Sequence, residues 1–131
     1  MVTASDRSVI AFSLSGGNAH DAPEGEQLLD TFQHIDGQLY MLMDRAYEGD
    51  KMREKVTAKG YMPVVPPKKN RKNPWDYDKE LYKQRNEIER YFLRLKRFRK
   101  IFTRYDKLDV IFCGFICFAI VIDILISVNR L

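Results

Sequence analysis

Three short segments of the chain have the hydrophobic pattern of β-strands. Residues 9–15 (VIAFSLS) alternate between apolar and polar side chains, as a strand with one buried face does. Residues 39–43 (LYMLM) and 61–65 (YMPVV) are short apolar runs, which are typical of strands buried on both faces. The pattern therefore predicts three strands, and the second of them ends directly before Asp44.

The segments between and after these strands have helical signals. A helix is predicted to begin near Asp21, and a second one to cover residues 51–59 and to end at Gly60. A long helix is predicted over residues 79–101. A last helix begins near residue 107 and is apolar almost all round, so we expect it to be buried. Strands that alternate with helices predict an α/β fold with a mostly parallel central part.

The C-terminal apolar run raises the question of a membrane. Residues 110–122 carry no charge and lie between Asp109 and Asp123. A membrane span needs about 20 apolar residues, whereas a run of about 10–14 is more typical of a buried helix. Extending the run to residue 128 would place Asp123 in lipid at a cost of about 2.5–3.5 kcal/mol. We therefore predict a core helix, and a small single-span membrane protein inserted over residues 108–128 is the alternative.

Charge is distributed unevenly in a chain whose composition excludes a disordered, collagen-like or disulfide-rich protein. Residues 68–107 hold 15 Lys and Arg against 6 Asp and Glu, whereas the rest of the chain holds 7 against 12. This asymmetry predicts a face that binds a polyanion beside an acidic region that can hold cations, with a solvated helix face as the alternative. A basic loop at residues 66–78 precedes the long helix.

A polar stripe runs along the predicted long helix. Tyr82, Glu89 and Lys96 are seven residues apart, and Arg85 lies one turn before Glu89, so all four share one side of a regular helix. The simplest interpretation is an ordinary helix ion pair, worth about 0.2–0.5 kcal/mol. Asp44 stands where a buried strand ends, and ligand sites of open α/β sheets gather at such ends. A simple strand-end Asp is the alternative there.

In combination these segments resemble the DDE transposases of bacterial insertion sequences, from residue 13 to about residue 126. The DRAY segment at residues 44–47 is similar to the family's segment around its second catalytic Asp, and the GGNAHD segment at 16–21 and the VVPP segment at 64–67 match as well. The family also carries a pattern of Tyr, two residues, Arg, three residues, Glu, six residues and Lys. Here that pattern is filled without a gap by Tyr82, Arg85, Glu89 and Lys96.

The resemblance implies a partial RNase H-like fold with a few central strands, a long catalytic helix and a buried C-terminal helix. It also implies two Mg²⁺ or Mn²⁺ ions, because Mg²⁺ prefers hard oxygen ligands and the family holds its cations with two Asp and one Glu. Asp44 and Glu89 are two of these metal-binding catalytic residues. Asp6 is assigned to the first catalytic position, with Ser5 as the alternative, which would cripple the metal site.

Tyr82, Arg85 and Lys96 are the DNA-binding residues that the resemblance implies. The implied function is metal-dependent cleavage and transfer of DNA strands, with residues 1–131 forming the C-terminal part of a catalytic domain. By the resemblance, Met1 falls inside the family's first strand, so we expect a truncated product with little activity. The expected partners are the ends of the element, target DNA and a second copy of the chain, in the cytoplasm at the nucleoid. A catalytically inert DNA-binding remnant is the alternative.

Overall fold

The computed structural model describes residues 1–5, 8–16, 21–34, 39–103 and 107–129, without the side chains of residues 21, 22, 100 and 102. They form two compact units, a central unit (Ser15–Arg85) and a terminal unit (Met1–Leu14 with Asn86–Leu131). The strands are β1 (Val2–Ser5), β2 (Ser8–Ala11), β3 (Leu39–Leu42) and β4 (Tyr61–Val64). The helices are α1 (Asp21–Asp30), α2 (Asp50–Ala58), α3 (Lys79–Lys83), α4 (Asn86–Leu95), α5 (Arg99–Thr103) and α6 (Asp109–Val128), and a single 3₁₀ turn covers Arg45–Tyr47.

The central unit is built on the parallel pair of β3 and β4, in which Leu39 lies opposite Tyr61. A parallel pair needs a crossover connection, and α2 supplies it here by packing against β4. The side of α2 that faces the strands carries Met52 and Val56, which are four residues apart and therefore on one helical face. Gly60 ends the crossover at φ 88°, a left-handed conformation that glycine adopts without steric cost. The core cluster consists of Leu29, Met43, Met52, Val56 and Val65.

Two lysines of the α2 segment hold the C-terminal end of α1. The Lys55 amine donates to the carbonyl of Glu26 at 3.0 Å and pairs with the Asp30 carboxylate at 2.7 Å. The Lys59 amine donates to the carbonyl of Phe32 at 2.6 Å. Helix C-termini leave carbonyls without helical partners, and cations are favoured there by the helix dipole. Because α1 has no basic residue in its own last turn, α2 supplies that charge.

The terminal unit combines an antiparallel pair, β1 and β2, with α4, α5 and α6. Its core contains Tyr91 and Leu95 of α4, packed with Ala119 of α6. An ion pair also joins these two helices, since the Arg94 guanidinium lies 3.3 Å from the Asp123 carboxylate and both side chains are mostly buried. Helix α6 is therefore held to α4 by both apolar and charged contacts.

The α/β class is confirmed as a mixture of helices and strands, but the sheet differs from the prediction. The strands form two separate two-stranded sheets, and only the pair of β3 and β4 is parallel. The first predicted strand, residues 9–15, ends at Ala11 in the structure. Ala11 pairs with Val2, the first residue of β1, so the strand ends where its partner begins, although the alternating pattern continues. The helix that we predicted over residues 51–59 is present as α2, and residues 66–78 contain neither helix nor strand.

The prediction of one long helix over residues 79–101 is wrong. The structure has three helices there, with breaks at residues 84–85 and 96–98. At the first break the amides of Gln84 and Arg85 bond to carbonyls three residues earlier, and at the second those of Arg97 and Phe98 do the same. Such bonds follow a three-residue turn, so the 3.6-residue register on which the predicted stripe depended is lost.

The prediction of a buried C-terminal helix is wrong for most of its surface. Phe112, Ile116 and Ala119 are buried, whereas Val110 is 84% exposed and Phe118 is 63% exposed. The buried residues Phe112, Ile116 and Ala119 are three or four positions apart and so share one helical face, and α4 and α5 are described elements that contact α6. Its length and composition would suffice to cross a membrane, a test that core helices of soluble proteins also pass.

Candidate functional site

Asp44 lies at the carboxyl end of β3, as the sequence predicted. The amide of Met43 donates to the carbonyl of Val64 at 3.0 Å, which extends the parallel ladder by one residue before the chain turns. Asp44 then caps the 3₁₀ turn, and its carboxylate accepts a hydrogen bond from the amide of Arg45. Its side chain is 58% exposed. The strand and the turn together thus present a carboxylate to solvent in a defined place.

The 3₁₀ turn itself rests on α1 through a close approach at a glycine. A Cβ added to Gly25 would lie 2.5 Å from a ring carbon of Tyr47, well inside van der Waals contact. A side chain at position 25 would therefore displace the Tyr47 ring from its present place beside α1.

Arg85 is the cation next to Asp44. Its guanidinium lies 3.5 Å from the Asp44 carboxylate, and its side chain is 25% exposed, so it is held more firmly than a free surface arginine. The guanidinium carbon also lies 5.7 Å from the centre of the Tyr82 ring, within range of a cation–π contact. The structure therefore brings together three predicted site residues, Asp44, Tyr82 and Arg85, all in the central unit.

The Tyr82 phenol has an environment that keeps it protonated. Burial raises the pKa of Tyr82 above its ordinary value of 10.0, and the neighbouring Asp44 carboxylate adds to the rise, while Arg85 opposes it. Its ring packs edge-on against Tyr77, with centroids 5.6 Å apart at 82°. A neutral phenol can donate a hydrogen bond to a phosphate oxygen at physiological pH.

The basic loop at residues 66–78 is anchored to the central unit. The indole N–H of Trp75 donates to the carbonyl of Val65 at 2.8 Å. Two guanidinium groups flank the indole, with that of Arg53 at 3.6 Å and that of Arg71 at 4.6 Å from the ring centre. Base stacking and loop anchoring are both open to an aromatic residue in a basic segment. In this structure Trp75 anchors the loop at the end of β4.

Glu48 was not among the candidates from the sequence, and it is part of this anchor. It follows the 3₁₀ turn that Asp44 caps, and its carboxylate pairs with Arg71 at 2.8 Å and with Lys68 at 3.3 Å. Burial raises the pKa of the Glu48 carboxyl, but hydrogen bonds from Lys68 and Arg71 lower it more, so the net shift is downward. The sequence feature that could have identified Glu48 was the pair of acidic residues Glu48 and Asp50 upstream of an unusually basic loop.

Glu89 and Lys96 lie in the terminal unit, and the structure describes them there. Glu89 is exposed in the first turn of α4, and Lys96 is exposed directly after the last turn. The amide of Lys96 still bonds to the carbonyl of Phe92, so Glu89 and Lys96 keep helical spacing. The predicted pattern is thus divided between units, with Tyr82 and Arg85 in one and Glu89 and Lys96 in the other.

The remaining metal-ligand candidate, Asp6, lies outside the described residues, whereas its alternative, Ser5, is the last residue of β1. Among the residues that the structure describes, no group of three or more His, Cys, Asp or Glu side chains lies close enough to hold one metal ion. Asp44 in the central unit lies beside Arg85, and Glu89 lies in the terminal unit.

Comparisons with known proteins give the same family that the sequence resembles. Residues 1–124 match the family model described as the transposase DDE domain. A protein of Brucella ovis named as a transposase for insertion sequence element IS6501 is 31% identical over 104 residues, which cover 76% of this chain and 75% of that protein. No solved structure matches the chain. A match over nearly the whole length, together with this identity, shows that the chain belongs to the family of transposases with a DDE domain.

Proposed function

We propose that the chain catalyses metal-dependent cleavage and transfer of DNA strands at the ends of an insertion sequence, on an RNase H-like fold. The observation that carries the proposal is the cluster of Asp44, Arg85 and Tyr82 at the carboxyl end of a parallel strand. A carboxylate for a metal ion, a guanidinium for a phosphate and a neutral phenol as donor suit a phosphodiester substrate. Family membership provides the reaction class.

The proposed metal ligands are Asp44, Glu89 and Asp6, and the ions are two Mg²⁺ or Mn²⁺. The chemistry of Asp44 fits this role, because a carboxylate is a hard oxygen donor and this one is 58% exposed. Arg85 pairs with this carboxylate at 3.5 Å, so the carboxylate and a phosphate-binding guanidinium lie side by side. When bound, two such ions activate the attacking oxygen and stabilise the leaving oxygen of an in-line displacement.

The protein's own residues bind and orient the DNA in this proposal. Arg85 has a planar fork of donors that grips a phosphate through two hydrogen bonds, and its contact with Tyr82 places it before DNA arrives. The Tyr82 phenol donates to a second phosphate oxygen. Lys96 contributes an exposed point charge. Placement in advance lowers the entropy lost on binding, which is how such groups contribute to the rate.

The test uses a supercoiled plasmid that carries the gene with its flanking DNA. We expect the purified chain to nick and join this plasmid weakly and only with Mg²⁺ or Mn²⁺, and Asp44→Asn or Glu89→Gln to reduce this nicking to background. Glu54→Gln, an exposed carboxylate of α2, is the matched control and keeps wild-type nicking. Wild-type nicking by Asp44→Asn would contradict the proposal, and DNA binding without any nicking by the wild-type chain would favour the inert remnant.

The first catalytic position is tested separately, because Asp6 and Ser5 are neighbours. We expect Asp6→Asn to abolish metal-dependent nicking and Ser5→Ala to leave it unchanged. The opposite result would assign the position to Ser5. Calorimetric titration with Mn²⁺ gives a second readout, in which Asp6→Asn weakens metal binding without DNA present.

We also propose that the chain acts in the cytoplasm and not in a membrane. The support is the pairing of Asp123 with Arg94, which gives the one acidic residue inside the apolar part of α6 a partner from the protein itself. Fractionation of expressing cells tests this. We expect the chain in the soluble fraction without detergent, and recovery only from detergent-extracted membranes would favour the single-span alternative.

A further inference from the structure

Glu48 is the buried charged residue of the described core, with 5% of its surface exposed. A buried carboxylate is costly unless cations and hydrogen bonds compensate it. Arg71 and Lys68 provide that compensation at 2.8 Å and 3.3 Å, and Arg71 also pairs with Asp50. Both cations come from the basic loop, so the charge balance of Glu48 depends on where that loop lies.

The loop and the segment after it return to the turn that contains Asp44 and Glu48. Asp44 caps the N-terminal end of this 3₁₀ turn and Glu48 its C-terminal end. Arg71 in the loop contacts Glu48, and Arg85 beyond α3 contacts Asp44. The two ends of one short turn thus each hold a cation from the same returning segment, residues 66–85.

Contacts inside this segment connect the two bridges. Arg71 flanks the Trp75 ring, and Tyr77, two residues later, packs its ring edge-on against Tyr82. Tyr82 in turn faces the Arg85 guanidinium. Displacing the loop at Arg71 therefore removes a support for Arg85, and Glu48 is not itself one of the proposed metal ligands or phosphate-binding residues.

We propose that Glu48 is a positioning residue of the transposase site, which holds the basic loop against the Asp44 turn and thereby places Arg85 beside Asp44. This inference rests on the proposed function. A misplacement of about 1 Å in a catalytic group costs about 100-fold in rate, so we expect Glu48→Gln to lower nicking about 10- to 100-fold. The effect acts on the rate at saturating DNA more than on DNA affinity, since the exposed lysines of the loop remain.

Intrinsic fluorescence reports the position of the loop directly, because Trp75 is the single Trp of the chain. In Glu48→Gln we expect the emission maximum to move to longer wavelength and acrylamide quenching to increase, with unchanged far-UV circular dichroism. Arg71→Met breaks the same Glu48–Arg71 bridge from the loop and serves if Glu48→Gln does not fold. Because both changes remove this shared bridge, we expect the loss of nicking in the double variant to be smaller than the product of the two single losses. Glu48→Asp restores part of the activity, and Glu54→Gln is the control.

The outcomes separate this inference from the proposed function. Red-shifted Trp75 emission together with reduced nicking in Glu48→Gln and Arg71→Met supports the positioning role. Wild-type nicking by these variants overturns the positioning role, whether or not the Trp75 emission shifts. In that case, loss of nicking in Asp44→Asn still supports the proposed function. Multiplicative losses in the double variant would also overturn the positioning role, because they would show that Glu48 and Arg71 act separately. If the wild-type chain does not nick DNA, the proposed function fails and the positioning role fails with it.

Discussion

The ion pair between Arg94 of α4 and Asp123 of α6 provides a quantitative test of how α6 is held. The Arg94 Nε lies 3.3 Å from both Asp123 oxygens, and its Nη2 lies 3.3 Å from one of them. The side chains are 20% and 15% exposed. Replacing Arg94 by Met keeps most of the side-chain volume and removes the charge, which leaves Asp123 facing the helix interface without this partner.

The expected loss follows from two estimates. At 3.3 Å and an effective dielectric constant of about 20, the Coulomb attraction is about 5 kcal/mol. Breaking a fully buried pair by removing one partner costs about 3–5 kcal/mol. Because water still reaches a fifth of Arg94 and somewhat less of Asp123, we expect Arg94→Met to lower the free energy of unfolding by about 2–3 kcal/mol. The double variant Arg94→Met/Asp123→Leu, which removes both charges, should return to within about 1 kcal/mol of wild type.

The assay is urea unfolding followed by far-UV circular dichroism, with midpoint and slope measured for each variant. Arg90→Met is the matched control on the same helix, because Arg90 is exposed and pairs with Glu87 at 3.1 Å within α4. That exposed pair is worth about 0.5 kcal/mol or less. Equal midpoints for Arg94→Met and Arg90→Met would refute the reasoning. A double variant no more stable than Arg94→Met would refute it as well, since the loss would then not come from an uncompensated Asp123.

Three further predictions concern single positions. Tyr91→Phe should raise the thermal midpoint, with a gain of about 1 kcal/mol in stability. The buried Tyr91 hydroxyl has no hydrogen-bond partner among the residues that the structure describes, and burial raises its pKa. A lower midpoint would contradict this prediction. Gly60→Ala should cost about 1–2 kcal/mol in urea unfolding, since φ is 88° at that residue, whereas Gly49→Ala, with open space around it, should cost less. The pKa of Glu48 is lower in the folded chain than its ordinary value of 4.5, so its contribution to stability is present above that value and is lost as the pH falls through the folded pKa. Acid titration of stability should therefore show a smaller loss in Glu48→Gln than in wild type below about pH 4.5.

Local hydrophobic patterns were sufficient to predict the two strands of the central unit and the helix between them. The apolar runs before Asp44 and before Pro66 became β3 and β4, and Gly60 ended α2 as predicted. Each of these depends on residues within one element, so periodicity and end signals describe it well. The pairing of the strands into two separate sheets depends on contacts between distant segments, which no local pattern contains.

The breaks in the predicted long helix show what helical periodicity misses. Residues 79–101 contain no Pro or Gly, so no single residue signals an end. On one regular helix Ile88, Phe92 and Leu95 would share an apolar stripe, yet Phe92 is 41% exposed while Tyr91 and Leu95 are buried. Tertiary contacts decide here, because the tight turns on either side of α4 let it bury the face that the core of the terminal unit requires.

The same breaks change how the Tyr–Arg–Glu–Lys pattern works. A single regular helix would place all four side chains on one stripe, and their spacing would need no further explanation. In the structure a three-residue turn at residues 84–85 ends the central unit, and α4 begins the terminal unit at Asn86. Tyr82 and Arg85 are therefore oriented by Asp44 and the basic loop, whereas Glu89 and Lys96 are oriented by the core around Tyr91. The boundary between the two compact units thus lies inside the Tyr–Arg–Glu–Lys pattern. A variant that alters the packing of one unit therefore acts directly on only two of the four residues of the pattern.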